Sequence, residues 1–288
     1  MGSNPAAPTN SLKVPEPSGA YDSRAMPRPA TPEDAMRGFL TGQDPNLARF
    51  RRFMGRIPDG PHCKLCSAPF EGPGGAVLRH LGFARFPGNP AICGSCIKSL
   101  NKMGVYGAEI PVSLLFADIR GSTTIAERMS PTEYRAFLDR FYRLSSAAIL
   151  DNDGMVDKFV GDEAIGLFFV GISGNQHADA AIRAARTLLA AVSQADASPS
   201  GPIPVGAAVH TGSAFVGSTG AEGAVSDFTA LGDAVNTTAR LASEAAAGEL
   251  LISVEAASAG GLDLSSSEHR TLTVRGRSDA IEVLAVRV

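Results

Sequence analysis

Two aspartates in apolar surroundings are the first residues of this chain that need a chemical explanation. Asp118 follows the run Val112-Ser-Leu-Leu-Phe-Ala117, and Asp162 closes Lys158-Phe-Val-Gly-Asp162 just ahead of Glu163. A carboxylate at the end of so apolar a strand is costly unless it is paired or binds a cation. After Asp118 comes Ile119-Arg-Gly-Ser-Thr123, a glycine turn entering a short helix expected over 123–129. Free backbone N–H groups at such a start suit a phosphate. Two strand-end carboxylates beside a phosphate-shaped turn are the parts that two-metal phosphoryl transfer requires. Each aspartate alone also has a plain structural reading, Asp118 as a helix cap and Asp162 as the corner of a hairpin.

A second group lies within residues 227–241. Asn236 and Arg240 are one helical turn apart and share a face, with Val235, Ala239 and Leu241 available for packing. An amide and a guanidinium projecting together can hold a phosphate or a ribose; a solvated helix face with an ordinary ion pair is the alternative. The third group is a pair of C-x-x-C knuckles, Cys63-Lys-Leu-Cys66 and Cys93-Gly-Ser-Cys96. Paired knuckles point to a tetrahedral four-cysteine zinc site, and the long span between them implies a larger loop. An iron–sulfur cluster or a redox dithiol pair are the other readings, and His62 and His80 stand nearby as alternative ligands. The role of this module stays open among a folding staple, a dimerisation element and a sensor.

The chain that must position these groups has 288 residues, 44% of them hydrophobic, enough for one sizeable core and a smaller module. Its net charge of -3 and pI near 6.0 carry no nucleic-acid signal. The modest basic excess of residues 1–110 is outweighed by the acidic remainder, and Trp is absent. No run approaches the roughly 20 apolar residues that span a bilayer; the stretch 164–172 is shorter and reads as a buried strand. The Pro- and Ser-rich N-terminus has no apolar core of a secretory signal. A soluble cytoplasmic protein follows, in which cysteines serve a metal rather than disulfides.

Residues 1–31 are expected to be disordered. Residues 32–56 contain an amphipathic helix with Leu47, Phe50, Phe53 and Met54 on its apolar stripe, opening a module that extends to residue 105. From residue 106 onward strand-like and helix-like segments alternate. Ser130-Pro-Thr-Glu133 is a capping box with proline at the first helical position; its helix aligns Tyr134, Phe137, Leu138, Phe141 and Leu144. Asn152-Asp-Gly154 is a turn, and residues 155–169 form two strands meeting near Gly161-Asp162. A helix over 177–195, a strand over 204–215, a helix over 234–246, a strand over 249–253 and a hairpin over 271–288, turning near 276–279, complete the pattern. This order predicts an α/β (α+β) sandwich, a mixed sheet with helices on one face, preceded by a small four-cysteine metal module.

Read in order, Phe116-Ala-Asp-Ile-Arg-Gly-Ser-Thr123, Lys158-Phe-Val-Gly-Asp-Glu163, Val209-His-Thr-Gly212 and Leu231-Gly-Asp-Ala-Val-Asn-Thr-Thr-Ala-Arg240 resemble the ordered motifs of the class III adenylyl/guanylyl cyclase catalytic domain. The resemblance covers about residues 110–288 and implies a ferredoxin-like sheet. It implies conversion of ATP to cyclic AMP and pyrophosphate, assisted by two Mg²⁺ or Mn²⁺ ions. At matching positions, Asp118 and Asp162 would bind metal together with the backbone carbonyl of Ile119. The stretch Ile119, Arg120, Gly121, Ser122 and Thr123 would cradle the β- and γ-phosphates. Lys158 and Thr229 would read the purine, Asn236 would orient the ribose, and Arg240 would stabilise charge at the α-phosphate.

The family also implies a head-to-tail homodimer with two active sites at the interface, the metal aspartates from one chain and the base and transition-state residues from the other. Thr229, where much of the family has Asp, resembles the subgroup that contains the bicarbonate-responsive adenylyl cyclases. Lys158 can donate to adenine N1 and the Thr229 hydroxyl can accept from N6, whereas guanine reverses that edge. A guanylyl cyclase, or a nucleotide-binding regulatory cyclase domain without turnover, is the alternative. His210 is expected to make a structural hydrogen bond.

Overall fold

The structure, a computed structural model, describes residues 31–58, 60–86, 89–102, 106–194, 201–220, 226–264, 268–273 and 280–288. The expected disorder over residues 1–31 therefore lies, but for Thr31, outside the described residues, as does the hairpin turn at 276–279.

The front part comprises α1 (Pro32–Leu40), α2 (Pro45–Met54), α3 (Gly72–Leu78) running into a π-turn at Arg79–Phe83, then β1 (Arg85–Phe86), β2 (Asn89–Cys93) and α4 (Gly94–Lys102). The stretch 32–56, expected to contain a helix, holds two, and the expected stripe lies within α2. Gly42 adopts φ +70°, Asp44 caps α2 by accepting from the Leu47 N–H at 2.6 Å, and Pro45 occupies the first helical position. The apolar stripe is also narrower than expected. Leu47 and Met54 are buried and Phe50 stacks on Phe83, but Phe53 is 63% exposed.

The remainder runs β3 (Gly107–Ile119), α5 (Ser122–Glu127), α6 (Pro131–Asp151), β4 (Met155–Val160), β5 (Glu163–Phe168), α7 (Val170–Ser173), α8 (His177–Ser193), β6 (Val205–Gly220), β7 (Ser226–Leu231), α9 (Asp233–Glu244), β8 (Glu249–Ser253), α10 (Val254–Ala259), β9 (Glu268–Leu272) and β10 (Ile281–Arg287). The capping box of α6 is present, with both Ser130 and Glu133 side chains engaged. The helix after the first aspartate starts and stops earlier than the expected 123–129. Strand β7 was not anticipated, and β6 continues to Gly220.

The strands form one mixed sheet in the order β4-β5-β3-β6-β8-β10-β9, with β7 also pairing on β6. The β6–β8 pair is parallel and the other pairs are antiparallel. Side chains of β3 alternate between the two faces. Leu115, Ala117 and Ile119 pack with Phe141, Ile149, Ala181 and Leu188 of α6 and α8. Ile110, Val112, Leu114 and Phe116 face the other way. The long helices thus share one face, as the pattern predicts. The opposite face is covered as well, by α9 and by the front module, whose Met36, Leu40, Leu65 and Ile92 join Ile110, Val112, Leu114 and Leu241 in one apolar cluster.

Candidate active site

Strand β3 delivers Asp118 to the rim of the sheet, and alternation turns it toward the face that α9 occupies. The β4–β5 turn brings Asp162 to the same corner. Gly161 takes φ +61° there, a left-handed value that glycine adopts without penalty. The Ile119 N–H donates to the Asp162 carbonyl at 3.2 Å, and Asp118 stands in register with Glu163. The Tyr142 hydroxyl donates to the Gly161 carbonyl, and its ring stacks on Phe159 with centroids 4.3 Å apart. Nothing local in the sequence marked Tyr142 as a support for this turn. Charge crowds the corner: burial pushes the Glu163 carboxyl up, the neighbouring Asp162 adds to the shift, and Arg120 opposes it. Two carboxylates and a backbone carbonyl are an all-oxygen donor set, which fits a hard divalent cation such as Mg²⁺ or Mn²⁺.

Arg120 is the counter-cation of Asp118. Its guanidinium pairs with the Asp118 carboxylate, its Nε donates to the Asp118 carbonyl at 3.3 Å, and Nη1 reaches the Ser243 carbonyl at the end of α9 at 2.9 Å. Burial pulls the guanidinium down, while Asp162 and Glu163 hold it up. In the expected phosphate cradle, the Arg120 N–H is already spent on the Pro204 carbonyl at 2.6 Å. Gly121 turns the chain at φ +69°, and Ser122 and Thr123 occupy the first turn of α5, where backbone N–H groups lack intrahelical acceptors. The helix has 6 residues, so these N–H groups rather than a macrodipole are what the turn offers an anion.

The other expected residues sit on different elements. Thr229, 4% exposed, donates through its hydroxyl to Asp157 Oδ2 at 2.9 Å. That bond clamps β7 onto β4 one residue from Lys158. Asp157 is the extra residue of a β-bulge: Val156 pairs with Gly166 and Lys158 with Ile165. On α9, Ala234, Thr237, Thr238 and Leu241 are buried, leaving Asn236 exposed and Arg240 half-buried. The helix meets the carboxylate corner through its C-terminal end at Ser243, whereas Asn236 lies in its first turns. His210 makes the expected structural bond, Nδ1 to Ser253 Oγ at 2.8 Å.

The four cysteines converge. All are buried, and their sulfurs lie within 4.8 Å of one another, with Cys63–Cys96 at 3.9 Å and Cys66–Cys93 at 3.6 Å. Tetrahedral zinc with bonds of about 2.3 Å spaces its sulfurs about 3.8 Å apart, while a disulfide needs about 2.05 Å. The donor set therefore fits a metal. The Cys93 N–H donates to Cys63 Sγ at 3.3 Å and the Cys96 N–H to Cys93 Sγ at 3.4 Å, the kind of backbone support that tunes thiolate ligands. Hydrogen bonds from Cys66, Cys93 and Cys96 hold the Cys63 thiol far below the usual range. His62 faces the Ile57 carbonyl at 2.9 Å, and His80 is exposed.

The module is joined to the sheet by more than apolar contact. Asn89 Nδ2 donates to the Val156 carbonyl at 2.9 Å, Arg51 to the Gly171 carbonyl at 3.3 Å, and Lys64 pairs with Asp153. Among the described residues no helix is long and apolar enough to cross a membrane.

The sequence pattern of the adenylate and guanylate cyclase catalytic domain matches residues 106–285. Adenylate cyclase 1 of Rhizobium meliloti (strain 1021) is 34% identical over 134 residues, covering 45% of this chain and 20% of that protein. The adenylate cyclase of Anabaena cylindrica is 30% identical over 168 residues, 55% of this chain and 32% of its own length. The chain thus spans well under half the length of these relatives. Among solved structures, the guanylyl cyclase Cya2 superposes with a TM-score of 0.58 at 26% identity, over 63% of this chain and 94% of that one. The adenylyl cyclase CyaB from P. aeruginosa does so with a TM-score of 0.56 at 26% identity, over 64% and 97%.

Proposed function

Because this chain belongs to the adenylate and guanylate cyclase catalytic-domain family, we propose that it is an adenylyl cyclase, closing ATP to cyclic AMP and pyrophosphate as a cytoplasmic homodimer. The observation that carries the choice of ATP is Thr229, lodged against β4 one residue from Lys158. A lysine that only donates and a hydroxyl that accepts match adenine N1 and N6, and mismatch guanine.

Asp118, Asp162 and the Ile119 carbonyl would hold two divalent cations, which supply the positive charge that acidifies the ribose 3′-hydroxyl and neutralises the triphosphate. The chain's own residues do the rest by positioning. Lys158 and Thr229 fix the base, and the exposed Asn236 amide orients the ribose so that its 3′-oxygen faces the α-phosphorus. Arg240 donates to the α-phosphate oxygens as charge gathers there. The turn N–H groups at Ser122 and Thr123 bind the departing pyrophosphate. The 3′-oxygen bonds to phosphorus, the bridging oxygen leaves with pyrophosphate, and the hydroxyl proton passes to solvent.

In this reading the exposed Asn236 and half-buried Arg240 of one chain complete the carboxylate corner of the other, giving two sites per dimer. Residues 32–105 form a zinc-bearing module, and residues 106–288 form the catalytic domain. The test is an assay of the purified chain with ATP and GTP, each with Mg²⁺ and Mn²⁺. Cyclic AMP from ATP is the expected product; cyclic GMP alone would overturn the base choice, and no turnover with either would favour a regulatory nucleotide-binding domain.

A further inference from the structure

The geometry points to Asp157 as the residue that sets which purine the site accepts, an inference that rests on the reading of Lys158 and Thr229 as the base-contacting pair. A threonine hydroxyl is ambivalent, with one proton to give and two lone pairs to receive. Left free, it can accept from the exocyclic amine of adenine or rotate and donate to O6 of guanine, and it then distinguishes neither.

In this structure the Thr229 proton is committed. It points to Asp157 Oδ2 at 2.9 Å, and Thr229 is 4% exposed, so water competes poorly for the bond. A carboxylate oxygen only accepts, so what Thr229 has left to show a ligand is lone pairs. Adenine N6–H then finds an acceptor, polarised further by the carboxylate behind it. Guanine O6 meets lone pair against lone pair, an unpaired buried contact of the sort that rejects a wrong ligand.

The bulge explains how an aspartate next to Lys158 can do this. Strict alternation would send residues 157 and 158 to opposite faces. The extra residue at 157 breaks that alternation, and Asp157 reaches across to β7. Asp157 touches no substrate atom in this account; it is a positioning residue that acts through Thr229.

The test compares kcat/KM for ATP and for GTP in the wild-type chain of 288 residues, in Asp157→Ala, in Thr229→Val and in the double variant. Asp157→Ala is expected to lower the ATP-to-GTP ratio about tenfold, through a raised KM for ATP and a lowered KM for GTP, in line with the loss of one hydrogen-bond term. Thr229→Val, which is nearly isosteric, should lower the ratio similarly, and the double variant no further. A merely structural Asp157 would depress both substrates equally, and that result overturns the inference. So does a Thr229→Val chain that keeps its preference for ATP, which decides the matter should Asp157→Ala fail to fold. A wild type without preference for ATP removes the functional reading and this inference together. A wild type that prefers ATP, with a ratio lowered by Thr229→Val but unmoved by Asp157→Ala, removes this inference alone.

Discussion

The side-chain amide of Asn89 donates to the main-chain carbonyl of Val156 at 2.9 Å, so one bond ties the approach to the second cysteine knuckle to the strand that carries Lys158. Asn89 Oδ1 also accepts from the Ala91 N–H at 3.1 Å, and the residue is buried. Replacing it with alanine strands the buried Ala91 N–H, at a cost of about 1–3 kcal/mol, and leaves the part-buried Val156 carbonyl without this donor. Asn89→Ala should therefore lower the melting temperature by several degrees. Because Val156 precedes the bulge at Asp157, the same variant should raise KM for ATP several-fold with little change in kcat. Steady-state kinetics beside a thermal melt separate the two effects; a lowered melting temperature with KM unchanged would confine Asn89 to stability.

The cysteine cluster should carry one zinc per chain. Metal analysis of the purified protein reads this directly, and iron with visible absorbance would replace the zinc assignment. Cys93→Ser removes one of the four clustered sulfurs, one that also accepts the Cys96 N–H. The variant should lose the metal and, since structural zinc contributes folding energy outright, several kcal/mol of stability. A strong chelator should do the same to the wild type, seen as a falling melting temperature.

Asp118→Ala and Asn236→Ala should each be nearly inactive alone, since each removes one half of both sites. Co-refolded in equal amounts, they should recover about a quarter of wild-type activity, because half the dimers are mixed and each mixed dimer keeps one intact site. Mixed dimers verified by differential tags that stay inactive would count against sites shared between chains.

Arg120 competes with cations for the Asp118 carboxylate, its guanidinium being paired there and anchored to Ser243. Arg120→Ala should strengthen Mn²⁺ binding to the nucleotide-free protein several-fold, through loss of a like charge at the site. Titration calorimetry or the electron paramagnetic resonance of free Mn²⁺ reads it. Turnover should fall all the same if Arg120 serves the triphosphate, so binding and catalysis are expected to move in opposite directions. Weaker Mn²⁺ binding would assign Arg120 to holding Asp118 in place instead.

The elements that position the candidate site were legible in the sequence wherever the signal was local. A charge ending an apolar run marked Asp118, a capping box marked the start of α6, and C-x-x-C spacing marked the sulfurs that the fold gathers. The expected stripe of Leu47, Phe50, Phe53 and Met54 falls within α2, and the break before that helix is written in Gly42, Asp44 and Pro45. What escaped depends on distant partners. Asn89 and Val156 are 67 residues apart, and Thr229 and Asp157 are 72 apart. A bulge moves a side chain to a face that period-two reasoning denies it. Strand β7 is 6 residues long and gains its identity from pairing with β6, a tertiary effect that overrides its own weak alternation.

Met36, Leu40, Leu65 and Ile92 share one apolar cluster with Ile110, Val112 and Leu114 of the sheet. Severing the chain near residue 106 would lay a greasy wall open to solvent, inviting self-association rather than a tidy minimal enzyme. Anyone grafting this catalytic unit onto a foreign input domain would have to carry the sequence from Thr31 onward, or furnish another hydrophobic roof of matching shape.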